Sequence, residues 1–337
     1  MIDILVAGGG PAGLAAAIGA AAAGREAVVV EPRAAPVDKA CGEGIMPSGV
    51  AALRGLGVAP SGRELRGIRY VQGDRRAEAC FRGSTGLGVR RTELHTVLHR
   101  RAAELGVRFV PGRVDEVSQG DDRVTAAGLT ARWLIAADGL HSPTRRALGL
   151  ERPSAPPRRY GLRRHYRVAP WTDFVEVHWS RHGEAYVTPV GDGLVGVAVL
   201  SGHRRSHEEH LDAFPALARA LRGLEDGAVR GAGPLRRTVS TPIAGRVLLV
   251  GDAAGYVDAL TGEGVALAAA TAAAAVACLV AGRPEAYPAR WARLTRRHRL
   301  LTRALVGLAG HPVTAGMIVP AAQRLPPLFG AAVRALQ

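Results

Sequence analysis

Cysteine, aromatic residues and lysine are all scarce in this 337-residue chain, and each scarcity excludes something. The three cysteines, Cys41, Cys80 and Cys278, are odd in number, far apart and without a CxxC pair, which rules out a disulfide framework or a cysteine-built zinc site. Aromatics make up 4% of the residues, too few for the stacking platforms of single-strand nucleic-acid binders. Lys39 is the only lysine, so the formal charge of +15 is carried by arginine scattered along the whole chain. That distribution reads as compositional bias rather than a nucleic-acid footprint, and no nucleic-acid partner is expected. The N-terminus has Asp3 and no basic region ahead of its apolar run, which argues against a signal peptide and for the cytoplasm.

What the chain does have is glycine, at 43 residues, and apolar residues, at 47%. The length supports one large core or two joined ones. The run GVALAAATAAAAVACLVAG, residues 264–282, is long enough to span a bilayer. It is mostly alanine and starts at a turn carrying Asp258 and Glu263, so a buried soluble helix is the reading. Membrane association is not favoured.

The opening IDILVA reads as a buried strand, GGGPAG as a turn, LAAAIGAAAAG as a helix ended by Gly24, and EAVVVEP as a second strand. Gly8, Gly10 and Gly13 make G-x-G-x-x-G between strand and helix, with Ala12 inside the turn. The first glycine permits the tight turn, the second lets a pyrophosphate approach the backbone, and the third lets helix and strand pack closely. Helix-start N–H groups then hold the anion. Glu31 ends the second strand, where a carboxylate can accept from a ribose diol, and Arg33 follows it. This is a dinucleotide site.

Further along, RTELHTVLHRRAAELGV, residues 91–107, is an amphipathic helix with Leu94, Val97, Leu98, Ala102 and Leu105 on one face. RFVPG and RVDEVSQ read as short strands, and ARWLIAADGLHSPTRRALG as strand, turn and helix. From about 155 to 240 the pattern changes to alternating strands with glycine turns. The chain then returns with RVLLV and the turn GDAAGYVDALTGEG, residues 251–264. A second phosphate-style turn suits FAD, whose flavin end needs holding far from its adenine end. Gly251 and Asp252 are placed for the ribityl chain, and a helix starting near Gly262 and Gly264 aims its positive end at the flavin edge where charge accumulates.

GGGPAG with Glu31, AADGLHSPTRR with Asp138 and Gly139, and GDAAGYVDALTGEG together resemble, in order and spacing, the three fingerprints of the flavoprotein family that includes para-hydroxybenzoate hydroxylase and the geranylgeranyl reductases. The resemblance implies an α/β fold: a GR2-type Rossmann-like FAD-binding domain (1–70, 88–154 and 240–285), an inserted antiparallel-sheet substrate domain (71–87 and 155–239) and a C-terminal helical segment (286–337). It also implies Arg91 as a cofactor-contacting arginine and Val114 as a backbone contact near the adenine. For Arg91 a solvated helix start is the alternative, and for Asp138 and Gly139 a plain strand-to-helix turn. KACGEGIMPSG resembles the reductase branch, whereas Val187 and Thr188 depart from its strand pattern.

Three functions follow. The favoured expectation is an NAD(P)H-dependent monooxygenase acting on a hydrophobic small molecule through a flavin C4a-hydroperoxide, with NADPH or NADH visiting transiently and O2 as co-substrate. The alternative is a reductase passing hydride to a carbon–carbon double bond, with Cys41 or Glu263 as the acid. The last is a flavin-binding module without turnover. Cys41 reads equally as a packed thiol, and Glu263 as an exposed helix-start carboxylate. His165 and His178 have no metal-ligand spacing, and no metal is expected.

Overall fold

The computed structural model describes residues 1–153 and 158–335; the domain boundary expected at residues 154 and 155 therefore lies outside the described residues. The β-branched and leucine-rich opening segments form the centre of an eight-stranded sheet. Ile2–Ala7 lies between Leu129–Ala136 and Ala27–Glu31, all parallel, with Arg108–Pro111 beyond Ala27–Glu31 and Val247–Leu249 beyond Leu129–Ala136. Both faces of these strands are covered, and Leu5, Val6, Val28, Val29, Leu134 and Ile135 are fully buried. Each such side chain is worth roughly 1.5–3 kcal/mol of apolar transfer, so this sheet is the rigid frame on which the turns sit. Of the stretch RVDEVSQ only Val117–Gln119 is extended, because it pairs with Val124–Ala126 in a hairpin and the residues before it have no partner strand.

The helices Pro11–Ala22 and Gly264–Val280 pack along one another under this sheet. Alanine and glycine make that approach close: a Cβ on Gly19 would stand 3.9 Å from Val276. Both helices point their N-termini at the carboxyl ends of the strands, the standard ligand crevice of an open α/β sheet.

A seven-stranded sheet sits above. Its order is Glu225–Ala232, Tyr160–Tyr166, Leu194–Ser201, Gly183–Gly191, Phe174–Ser180, Gly67–Gln72 and Arg75–Cys80. All neighbours are antiparallel except Phe174–Ser180 with Gly67–Gln72. Gly67–Gln72 spans the boundary expected at residue 71, and it hydrogen-bonds as part of this second sheet. A small sheet of Gly44–Ile45, Gly86–Gly88 and Arg63–Leu65 joins the two layers.

The tail forms three helices, Tyr287–Ala309, Pro312–Arg324 and Pro326–Arg334. Pro326 opens the last of them, a position where the missing N–H costs nothing. Val319, Ala322, Phe329 and Val333 bury against Ala77, Ala79, Val177 and Trp179 of the second sheet. The whole is an α/β Rossmann-like fold with an inserted antiparallel sheet and a helical C-terminal region.

Candidate active site

The first turn is held by backbone sterics. Gly8 has φ +99°, and a Cβ there would lie 2.7 Å from the Ala137 carbonyl oxygen. A Cβ on Gly13 would run into the Gly8 carbonyl oxygen, whereas at Gly10 nothing stands within 4 Å. Gly8 and Gly13 are thus needed by the fold, and Gly10 faces open cavity. Glu31 braces the turn: its Oε2 accepts from Gly9 N at 2.8 Å, and Arg33 donates to it through Nε at 2.7 Å. Burial raises the Glu31 pKa, but the bonds from Arg33 and Gly9 outweigh it and hold the carboxyl below its usual range. Below the turn, His95 Nε2 lies 3.0 Å from the Gly9 carbonyl and therefore donates to it. Burial, and then Arg91, push this imidazole down to about 4, so it stays neutral.

The second and third turns are tied together by one fully buried side chain. Arg145 donates to the carbonyls of Leu140 at 2.8 Å and Ala253 at 3.1 Å, so Gly139 and Asp252 are fixed relative to each other. Asp138 Oδ2 accepts from Thr144 N at 3.0 Å, while its buried Oδ1 has no partner among the described residues. Gly251 has φ +56°, and a Cβ on it would meet Ala12 Cβ at 2.7 Å. The first and third turns therefore touch through these two residues. Asp252 stands 3.9 Å from Lys39 Nζ. Gly262, at φ +69°, turns the chain into the 17-residue helix from Gly264, whose N-terminus carries no side-chain cap.

The turns border one cavity of about 1350 Å³. At one end lie Gly8, Gly10, Ala12, Glu31, Arg33 and Val114; in the middle come Arg91, Asp138, Gly139 and Asp252, then Gly262 and Gly264. The remaining walls hold apolar side chains, Ile68, Leu162, Val175, Val177, Leu200 and Leu260, and polar ones, among them Arg163, His203, Arg204 and Glu209. Two helix N-termini and their free N–H groups thus face different parts of one elongated space.

Cys41 and Glu263 stand at the junction of the two halves. Cys41 is half-buried by surface area yet densely surrounded, and burial first of all pushes its thiol up, so it holds its proton at neutral pH. Its Sγ accepts weakly from Glu43 N at 3.4 Å. Glu43, at φ +59°, is buried, accepting from Arg91 N at 2.8 Å and from His165 Nε2 at 2.7 Å. Arg163 donates to His165 Nδ1 at 3.0 Å, which fixes the tautomer with the proton on Nε2. Glu263 is half-buried and paired with His298 Nδ1 at 2.8 Å, so it is neither an exposed helix-start carboxylate nor an unengaged acid.

A third polar group borders the apolar half. Arg159 lies between Glu184 and Asp258, all three buried, and Asp258 lines the cavity. Burial, with Asp258 adding to it, pushes Glu184 up to about 7.

Of the cofactor-contact and acid candidates read from sequence, all but Gly13 and Gly251 line the cavity, and those two serve the packing of the turns; His165 and His178 do not line it. Arg91 is buried rather than a solvated helix start. Sequence reasoning missed Glu43, His95, Arg145 and the Arg159 cluster. Glu43 had a signal, a carboxylate between glycines in CGEG; His95 and Arg145 look like ordinary helix residues. The arrangement fits an extended dinucleotide: open space at Gly10, and Arg91 Nη1 and Asp138 Oδ1 buried without a partner among the described residues.

The family model described as "FAD binding domain" matches residues 1–162. The chain is 32% identical to a menaquinone reductase of Mycolicibacterium smegmatis over 99% of this chain and 91% of that protein. It is 33% identical to digeranylgeranylglycerophospholipid reductase 2 of Methanopyrus kandleri over 78% of this chain and 73% of that one. Among solved structures, a flavoprotein/dehydrogenase from Cytophaga hutchinsonii superposes with a TM-score of 0.87 at 20% identity, covering 99% of this chain and 92% of that one, which shows a shared fold.

Proposed function

The chain belongs to the superfamily of FAD-dependent oxidoreductases that includes para-hydroxybenzoate hydroxylase and the geranylgeranyl reductases, and on that premise we propose that it reduces a carbon–carbon double bond in a long apolar substrate of isoprenoid type, with NADPH or NADH as the source of electrons. The observation that carries this reading is the apolar arm of the cavity, which continues past the Gly262–Gly264 helix start and has a protonated thiol, Cys41, at its base. Oxygenation, favoured by the departures at Val187 and Thr188, also suits a dry cavity. Relatives above 30% identity include proteins named as reductases of menaquinone and of a digeranylgeranyl lipid, which tips the balance.

Gly8, Gly10, Ala12 and the start of the Pro11–Ala22 helix would hold the pyrophosphate, Glu31 the adenosine ribose, and Val114 the adenine. Arg91 and Asp138 bring the unpartnered buried donor and acceptor that a polar ligand satisfies. Asp252 would meet the ribityl hydroxyls, and the Gly264 helix start the ring edge that becomes negative on reduction. The chemistry FAD supplies when bound is hydride transfer. The protein's part is to lay the alkene in the apolar arm, keep water away while the substrate is bound, and deliver a proton from Cys41 Sγ to the second carbon; solvent reprotonates the thiolate once the product has left.

The test is anaerobic turnover. With NADPH and a polyprenyl quinone or a geranylgeranyl lipid, the product should gain two hydrogens without O2. Turnover that requires O2 and places labelled oxygen in the product would replace this reading with the monooxygenase.

A further inference from the structure

Arginine is scattered along the chain, but the acidic residues that could neutralise it are not. Residues 286–337 contain eight arginines and no aspartate or glutamate. Among the described residues eleven large apolar side chains are exposed, and seven belong to this segment, among them Leu300, Leu308, Val313, Met317, Leu325 and Leu328. Among the described residues no other segment combines so many exposed large apolar side chains with arginine and no acidic residue.

The geometry orders these residues. One side of the Tyr287–Ala309 helix is committed to the protein: Thr295, His298 and Thr302 are buried, His298 against Glu263. The exposed side carries Arg293, Arg296, Arg297 and Leu300, each three or four residues from two of the others, with Arg303 three residues beyond Leu300 and Leu308 three turns beyond Arg297. Residues so spaced share one helix face. The stripe is basic at its start and apolar at its end, where the chain bends by 114° into the next helix and exposes Val313 and Met317. That second helix is held by Val319 and Ala322 on the second sheet, while Val313 and Met317 on its outer face meet no apolar cluster among the described residues. No single described helix is long and apolar enough to cross a membrane, and six arginines between 290 and 303 make burial of that stretch in hydrocarbon costly. A basic and apolar helix pair that does not cross lies in the interface, with arginine at the phosphates and leucine below them. Leu305, on the same helix, lines the large cavity, so the docked face and the substrate arm share an element.

We propose that the Tyr287–Ala309 and Pro312–Arg324 helices dock the protein on a bilayer that carries anionic phospholipid, with Leu300, Leu308, Val313 and Met317 in the acyl boundary and the arginine stripe at the headgroups. This goes beyond the reaction and holds whichever reaction the cavity performs.

The experiment is vesicle co-sedimentation of the purified, FAD-loaded chain, using phosphatidylcholine alone and phosphatidylcholine mixed in equal parts with phosphatidylglycerol. The wild type should pellet with the mixed vesicles, less with the neutral ones, and less again at high salt. L308E/M317E should lower binding about tenfold or more, through lost apolar insertion. R293E/R296E/R297E should lose binding to the mixed vesicles by roughly a hundredfold, each arginine near an anionic surface being worth about fivefold. Both sets of positions are exposed, and retained FAD absorbance in each variant shows that it has folded. No pelleting of the wild type, or variants that pellet like it, would overturn the proposal. So would light scattering that finds a dimer dispersed by L308E/M317E, which makes a second copy the occupant. Binding to duplex DNA that is lost in the arginine variant and kept in the leucine variant would also overturn it.

Discussion

The two ends of the cavity are built on different plans. The nucleotide end is made of backbone: glycines without room for a Cβ, helix N-termini, and a carboxylate bonded to a main-chain N–H. The substrate end is made of side chains, drawn from strands as distant in sequence as Ile68, Val177 and Leu200, with a buried guanidinium held between two carboxylates. Backbone sites tolerate few residue types and specify a ligand's shape; side-chain sites tolerate many and specify its chemistry. Relatives can therefore share the first end while differing in what the second receives.

The hardest way to break this contrast is at Gly13. A side chain there collides with the Gly8 carbonyl, itself part of the turn, so Gly13→Val cannot be accommodated by a rotamer change. The expected result is loss of folded, yellow protein, a cost of about 3 kcal/mol or more, measured by denaturant unfolding and visible absorbance. A stable Gly13→Val protein that binds FAD would contradict the backbone plan.

Cys41 tests the junction. If its thiol delivers the proton, Cys41→Ala keeps FAD and its visible spectrum but lowers the rate of alkene reduction by roughly 10²–10⁴, the usual span for a general acid. Cys41→Ser, with a much higher pKa, should recover little. Single-turnover oxidation of reduced enzyme by substrate, monitored without O2, separates the proton step from flavin reduction; an unchanged rate in Cys41→Ala would remove the thiol from the reaction.

The same contrast decides what could be read from the chain alone. G-x-G-x-x-G with Glu31, the Asp138–Gly139 turn and the Asp252 turn were legible because a tight turn, a close approach and a helix start each restrict residue type over a few consecutive positions. Glu43 stands between glycines in CGEG, but its partner His165 is 122 residues away, so the pair leaves no local mark in the sequence. Arg145 could not be told from its neighbour Arg146, though one is fully buried and the other exposed. The Arg159–Glu184–Asp258 cluster joins three segments that only the second sheet brings together. The clustering of apolar exposure on the last helices was hidden too, because the same leucines could as well have been core.

Glu184 probes the side-chain end through pH. Its ordinary value is 4.5 and burial raises it to about 7. Between those values the folded protein keeps the proton that the unfolded chain gives up, so this group's contribution to stability is full below about pH 4.5 and is lost as pH rises through about 7. Comparison with Glu184→Gln isolates it: the wild type should lose up to about 3 kcal/mol relative to the variant across that window. Urea unfolding at both ends of the window measures this, and a pH-independent difference would show that the carboxyl stays ionised beside Arg159.

The smallest effect on stability belongs to Gly10, three residues from the position where the largest is expected. Its φ of −74° suits any residue, and a Cβ there meets no protein atom within 4 Å. Gly10→Ala should therefore leave the unfolding midpoint of the apoprotein nearly unchanged, within about 0.5 kcal/mol. The methyl would stand instead where the pyrophosphate comes against the backbone, so affinity for FAD, read from fluorescence quenching on titration, should fall about tenfold, or roughly 1.4 kcal/mol. Equal affinity in the two proteins would mean that the cofactor's phosphates sit elsewhere along the cavity, and the backbone plan would then describe the fold of this turn without describing its ligand.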